Sequence, residues 1–192
     1  MAKYKIYEYV GKNEKKDYRK VVLLDKENKA IDICYNRKRK KSWYISDYRC
    51  TEIQMYGKRD IEDRTSSIFI TNDEEDTEIL NNIGISAINF ANNVMNEYEL
   101  MEYLPRLFKN FKKVFILEDF LVYLTDVNYK KLKQVFLEKL AKLPNIKEIL
   151  ILNPRKVSCY YKTINDMVTY NKENNNLGEE FMQLIKTSER YK

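Results

Sequence analysis

The 192-residue chain contains no histidine, and that absence limits its chemistry more than any other. Without an imidazole there is no Ser-His-Asp or Cys-His nucleophile system and no histidine general base. The cysteines, Cys34, Cys50 and Cys159, are odd in number, widely spaced and form no CxxC pair. A structural zinc would need scattered thiolates and carboxylates, so reduced, buried thiols are the expectation. Only four glycines are present, in no GxGxxG or GxxxxGK arrangement, and no phosphate-cradling loop is built from them. No apolar run approaches the roughly 18 residues that a membrane span needs. The amino-terminal MAKYKIYEYV also lacks the apolar centre of a signal peptide. A cytoplasmic protein without a membrane partner is expected.

What remains is the balance of a folded domain, 44% hydrophobic and 33% charged residues. The length suits one ordinary domain, or a small appendage on a compact α/β domain. The net charge of +6 is unevenly spread. Residues 1 to 64 carry 18 Lys or Arg against 11 Asp or Glu, a balance of +7, and residues 65 to 192 carry 17 against 18. The densest stretch is Arg37-Lys38-Arg39-Lys40-Lys41, with Tyr35 before it and Trp43 just after. Two readings stand for this run. It suits a polyanion whose bases stack on the rings, or it is a solvated turn between two strands.

Residues 1 to 64 read as a small antiparallel sheet. Tyr4 to Val10, Lys20 to Leu24, Ala30 to Tyr35, Trp43 to Ile45 and Thr51 to Tyr56 are short β-branched and aromatic runs. Their tyrosines are expected to pack with the ring inside and the hydroxyl in water. After the polar linker 58 to 65 the rhythm changes. Ile68 to Ile70, Ile85 to Phe90, Val114 to Leu117 and Glu148 to Leu152 read as buried strands. Between them lie helical segments over Asp76 to Ile83, closed by Gly84, over Glu97 to Lys109, and over Asn128 to Leu143. A last helix is expected from Leu177 to about Arg190. The alternation predicts an α/β fold over 65 to 192, with a four-stranded parallel sheet covered on both faces.

Such sheets bind ligands beyond the carboxyl ends of their strands. The residues placed there are Asn72, Asp73 and Glu74, then Ala91 and Asn92, then Glu118 and Asp119, then Asn153 and Arg155. Asp73, Glu74, Glu118 and Asp119 would together hold one cation, with Asp126 in reach if its loop folds back. The bland alternative is that Asp73 to Asp76 cap a helix, and that Glu118 and Asp119 are ordinary loop residues. Tyr160-Tyr161-Lys162 and Lys109 to Lys113 likewise suit either a phosphate backbone or helix ends, and Asn165-Asp166 reads as a turn or cap.

This order of elements resembles the TOPRIM domain of primase type. The matching stretches are Met55-Tyr56-Gly57, then Ile68-Phe69-Ile70-Thr71-Asn72-Asp73-Glu74-Glu75-Asp76, then Gly84-Ile85 before the second strand. Val114 to Asp119 stands where the family has a strand ending in Asp-x-Asp, and Lys162-Thr163-Ile164-Asn165-Asp166 is similar to its Lys-Asp-x-Asn-Asp segment. The region before these, with its basic run, also resembles what precedes TOPRIM in phage and plasmid primase-helicases. The departures bear on chemistry. The family's first-motif glutamate corresponds to Asn72 and its glycine to Asp73. Asp119 matches the first aspartate of the second motif, while the second falls on Leu121. Two-metal phosphoryl transfer needs a dense carboxylate set around Mg²⁺, and an amide is a neutral ligand that takes no proton near neutral pH.

The resemblance implies a nucleic-acid-binding accessory protein for replication or maintenance of a phage- or plasmid-like element, with a degenerate site and no catalytic residue. Arg37, Lys38, Arg39, Lys40, Lys41, Trp43 and Tyr35 would bind DNA or RNA, single strands first. A residual Mg²⁺-dependent nuclease or primase-type enzyme is one alternative. An interaction protein that inhibits a host defence or replication enzyme is the other.

Overall fold

The computed structural model describes residues 3–11, 18–39, 42–45, 54–57, 66–90, 97–119, 130–171 and 176–192. The chain divides into two compact units, residues 1–56 with 90–94, and residues 57–89 with 95–192.

The first unit is an antiparallel sheet of β1 (Lys3–Gly11), β2 (Tyr18–Leu24), β3 (Ala30–Arg39), β4 (Ser42–Ile45) and β5 (Gln54–Tyr56), in the order β5-β1-β2-β3-β4. The β2–β3 turn is set locally. Asp25 Oδ1 accepts the N–H groups of Glu27 and Lys29, both at 2.8 Å, and Asn28 takes the left-handed backbone with φ 63°. Period-two alternation sends Tyr7, Tyr9, Tyr18 and Val22 to one face, where Tyr35 and Tyr56 pack on them. Tyr9 meets Tyr18 and Tyr56 edge-on, with ring centroids 5.5 and 5.8 Å apart. Tyr9 and Tyr18 are only 1% and 2% exposed, so their rings lie inside as the alternation suggested. Neither hydroxyl is left both buried and without a partner.

The second unit runs β6 (Ser67–Thr71), α1 (Glu74–Asn82), β7 (Ala87–Phe90), α2 (Glu97–Leu107), β8 (Lys113–Leu117), α3 (Lys130–Lys142) and β9 (Glu148–Leu152). A 3₁₀ turn (Pro154–Lys156), α4 (Ile164–Asn171), α5 (Leu177–Lys186) and β10 (Glu189–Arg190) follow. The pairings β6/β7, β6/β8 and β8/β9 are all parallel, and the order within the unit is β10-β9-β8-β6-β7. The last helix is shorter than its periodicity suggested. Thr187 ends it by turning its hydroxyl back to the carbonyls of Gln183 and Leu184, and Glu189 and Arg190 instead pair antiparallel with β9.

Both faces of this sheet are apolar, because parallel strands are covered on both sides. On one face Phe69, Ala87, Phe115, Leu117, Leu150 and Leu152 pack with Leu80 of α1, Ile164, Met167 and Val168 of α4, and Leu184 of α5. The alternate residues Ile68, Ile70, Ile88, Val114, Ile116 and Ile149 are fully buried on the other. They need cover as well, and α2 and α3, packed on each other, are the helices left to supply it. Each such side chain contributes about 1.5–3 kcal/mol through burial. Gly57 packs tightly into this unit. At φ 82°, a Cβ there would stand 2.5 Å from the Ala87 carbonyl oxygen and 2.6 Å from Thr77 Cγ2.

From β6 the chain moves to β7 on one side and then returns to β8 on the other. The strand order therefore reverses between β6 and β8, and the segments after those two strands flank the crevice where open α/β sheets place their ligands.

Candidate functional site

The segment after β6 enters α1 at once. Asp73 is the N-cap, with extended backbone, and its Oδ1 accepts the Asp76 N–H at 2.7 Å. Glu74, Glu75 and Asp76 fill the first turn, where exposed N–H groups favour negative charge. Thr71 anchors the entry. Its hydroxyl lies 2.6 Å from that of Thr77, and Thr77 in turn donates to the Asp73 carbonyl at 2.8 Å.

Asp76 has a second task that its place in a helical turn conceals. It is 3% exposed, and it accepts the backbone N–H groups of Asn165 at 2.8 Å and Ile164 at 3.2 Å. One carboxylate thus satisfies the free amino end of α4, a segment 88 residues away, and ties α1 to it. Burial is the main reason its carboxyl is pushed up to about 7. Repulsion from Asp73 and, more weakly, Asp119 adds to the rise, against the two N–H bonds. The Asp73 carboxyl is also raised, first by burial and then by the charges of Glu74 and Glu75. Asp73 and, more weakly, Asp119 thus act on the Asp76 carboxyl from the carboxyl ends of β6 and β8.

The predicted cation ligands divide. Asp73 holds the N-cap and Glu74 is buried in the first turn of α1. Glu118, half-buried just past β8, accepts a hydrogen bond from Asn153 Nδ2, and Asp119 is exposed. Asn153 uses its other side-chain atom, Oδ1, to accept the Arg155 N–H at 2.9 Å. Among the described residues no three carboxylates or thiols converge as donors on one point. Asp126 lies outside the described residues. Asn72 is exposed at the mouth of the crevice. Asn89, 3% exposed and paired in register with Thr71, keeps an Oδ1 with no partner among the described residues. Asp76 is the residue that reading the strand ends missed, although it closes the stretch from Ile68 to Asp76 on which the TOPRIM resemblance rests. Asp166 lies in the first turn of α4, one turn later than a simple cap, and accepts the N–H groups of Lys162 and Thr163 at 2.8 and 3.1 Å.

In the first unit the basic run forms part of the β3–β4 hairpin. Arg37, Lys38 and Arg39 are ladder residues of β3, opposite Tyr44, Trp43 and Ser42 of β4. Lys38 is exposed. Lys40, Lys41 and the side chains of Arg37, Arg39 and Trp43 lie outside the described residues. Tyr35 lies earlier on β3. It is half-buried, with Tyr18 stacked on it at 5.8 Å and 20° between planes, because alternation places it on the core side of β3.

No family model matches the chain, and no curated protein does. Solved structures do resemble it. One is a chain from the bacteriophage T7 lagging-strand DNA polymerase interacting with primase domains of two subunits bound to an RNA/DNA hybrid and dTTP. It is 14% identical with a TM-score of 0.52, and the match covers 98% of this chain and 79% of that one. The primase fragment of the bacteriophage T7 primase-helicase is 13% identical with a TM-score of 0.46, covering 92% of this chain and 61% of that one. A DNA primase domain from Pseudomonas aeruginosa is 14% identical with a TM-score of 0.45, covering 95% and 57%. In fold, the chain is similar to that chain of the T7 complex. Among the described residues, no helix is long and apolar enough to cross a membrane.

Proposed function

We propose that this chain is a nucleic-acid-binding accessory protein of replication in a phage- or plasmid-like element, with a TOPRIM-type second unit that does not run two-metal phosphoryl transfer. It rests above all on the basic β3–β4 hairpin, where three of the five consecutive cations, Arg37, Lys38 and Arg39, sit in the ladder of the unit that carries the positive excess. A cationic two-stranded ribbon offers phosphate contacts whose strength falls with salt.

The strand-end residues supply the second half of the reading. A two-metal centre needs free carboxylate oxygens converging on hard cations. Here Asn72 stands where the family resemblance puts a glutamate. Asp73 and Asp76 accept backbone N–H groups, and Glu118 accepts from Asn153. These residues do not fit such a centre. A residual Mg²⁺-dependent enzyme is the alternative; Asp73 and, more weakly, Asp119 repel the Asp76 carboxylate, and a divalent cation would relieve that repulsion.

The test is anisotropy binding to single-stranded and duplex DNA and RNA at two salt concentrations, with and without Mg²⁺, scoring cleavage in the same tubes. Replacing Arg37, Arg39 and Lys41 by Ala should weaken binding and lower the salt slope by about 2, at roughly 0.7 for each single-strand phosphate no longer neutralised. Unchanged affinity in that triple variant would refute the reading. Mg²⁺-dependent cleavage that disappears in Asp119→Ala would establish the enzyme.

A further inference from the structure

A second aromatic cluster, unused by the site above, lies between the 3₁₀ turn and α4. Tyr160 and Tyr170 are 68% and 59% exposed, and their rings stack on each other with centroids 6.2 Å apart and 28° between planes. Large rings this exposed forgo the stabilisation that burial would bring, so the fold itself gives them no reason to be tyrosine. Their arrangement is nevertheless fixed from below. Tyr161, 7% exposed, packs against Tyr170 at 5.9 Å and accepts a hydrogen bond from Asn171 Nδ2 at 3.0 Å. Three rings thus step from the core into water, the innermost anchored by a buried amide.

The segment that presents Tyr160 is also ordered. Val157 N–H donates to the Pro154 carbonyl at 2.9 Å, Tyr161 N–H to the Ser158 carbonyl at 3.0 Å, and Lys162 N–H to Asp166 Oδ2 at 2.8 Å. Arg155, Lys156 and Lys162 project from it, all exposed, and none forms an ion pair among the described residues. Asp166, at the end of this segment, is occupied by two backbone N–H groups, and Glu118, past β8, by Asn153.

We infer that Tyr160 and Tyr170 form a stacking platform for the bases of single-stranded nucleic acid, with Arg155, Lys156 and Lys162 taking the adjoining phosphates. This rests on the nucleic-acid reading above and adds a second contact, in the other unit. A preordered pair of rings takes bases of any identity, since every base has a π-face and little side-chain freedom is left to lose on binding. Cations beside the rings meet the backbone of the same strand. Duplex, whose bases are already stacked, would use only the cations.

The experiment uses the full chain and fluorescein-labelled oligo(dT), oligo(dA) and oligo(U). Tyr160→Ala combined with Tyr170→Ala should weaken single-strand binding roughly tenfold or more while leaving the salt slope unchanged, because stacking releases no counterions. Tyr160→Trp should retain binding. Lys156→Ala should lower the slope by about 0.7. Both tyrosines are at the surface, so thermal melts of the double variant should match the parent and exclude unfolding as the cause. Photo-cross-linking with 5-iodouracil oligonucleotides should label the peptide containing Tyr160 or Tyr170. Full affinity in the double tyrosine variant, alongside weakened affinity in the hairpin triple variant, would overturn the platform and leave the proposed function standing. So would cross-links confined to residues 37 to 43. A parent chain that binds no single strand even at low salt would overturn both.

Discussion

Replacing Asp76 by asparagine should flatten the pH dependence of this protein's stability. In the unfolded chain the carboxyl titrates near its ordinary value of 3.8, and in the fold it is pushed up to about 7. Below about 3.8 it is protonated in both states and contributes no pH dependence. Between 3.8 and about 7 the unfolded chain has released the proton that the folded protein still holds. Stability therefore falls as pH rises through that window, and the loss is complete above about 7. Roughly three pK units at 1.36 kcal/mol each give about 4 kcal/mol as an upper bound. The Asp73 carboxyl is raised as well and repels Asp76, so part of the cost belongs to the pair. About 2–4 kcal/mol is the expected range, a large fraction of a typical domain's stability of roughly 5–15 kcal/mol.

Asparagine resembles the protonated acid in shape and charge; its Oδ1 keeps one of the two α4 N–H bonds, and its Nδ2, like the protonated oxygen, gives up the other. Urea unfolding at about pH 3.5, where the parent carboxyl is protonated in both states, should find Asp76→Asn near the parent, and at about pH 8 the variant should be the more stable by about 2–4 kcal/mol. Parallel profiles for the two proteins would refute the reasoning, as would a variant that is weaker at both pH values. Adding Mg²⁺ at about pH 8 separates the two functional readings. A cation held by Asp73, Asp76 and Asp119 would take the proton's place and restore parental stability, whereas a site without a cation would leave the difference intact.

Gly57→Ala should cost several kcal/mol in the same assay, about 3 or more. The new methyl would meet backbone at 2.5 Å and a β-branched side chain at 2.6 Å, at a left-handed φ. Gly84→Ala shares the φ of 82° but meets nothing within 4 Å, so only the backbone term of about 1–2 kcal/mol should appear; equal losses at the two positions would refute the steric account. Asn145→Ala should destabilise by about 1–3 kcal/mol, because Nδ2 donates to the Phe108 and Phe111 carbonyls at 2.6 and 2.7 Å and closes the end of α2. Hydrogen exchange at residues 104 to 113 should quicken in that variant, and unchanged protection would argue against the cap.

The elements of the second unit were legible because buried parallel strands carry unbroken apolar runs, such as Ile68-Phe69-Ile70 and Val114 to Leu117, set between helical stretches. Gly84 marked the end of α1 for a backbone reason, its positive φ. β10 left no such mark. Glu189 and Arg190 are polar on both sides of the strand, and they pair because β9 would otherwise be an open edge. Tyr191 N–H donates to the Ile149 carbonyl at 2.9 Å and Ile149 N–H to the Lys192 carbonyl at 3.0 Å. Backbone demand of that kind has no side-chain signature.

The candidate site was legible to a lesser depth, for the same reason. Which residues arrive at the ends of β6 and β8 follows from where two apolar runs stop, a local property. Whether their oxygens are free is decided by partners far along the chain. Asp76 is bound to N–H groups 88 and 89 residues away, and Glu118 to an amide 35 residues away. A helix-capping reading of residues 73 to 76 is correct for Asp73 and insufficient for Asp76, whose carboxylate supports a second helix and is pushed up to about 7 by burial. The carboxylates that reach this crevice are thus largely committed to holding α1, α4 and the turn after β9 in place. Because burial and the repulsion of Asp73 outweigh the two N–H bonds, removing Asp76's charge should still stabilise the fold at neutral pH, whereas in a cation-holding site the same charge would be indispensable.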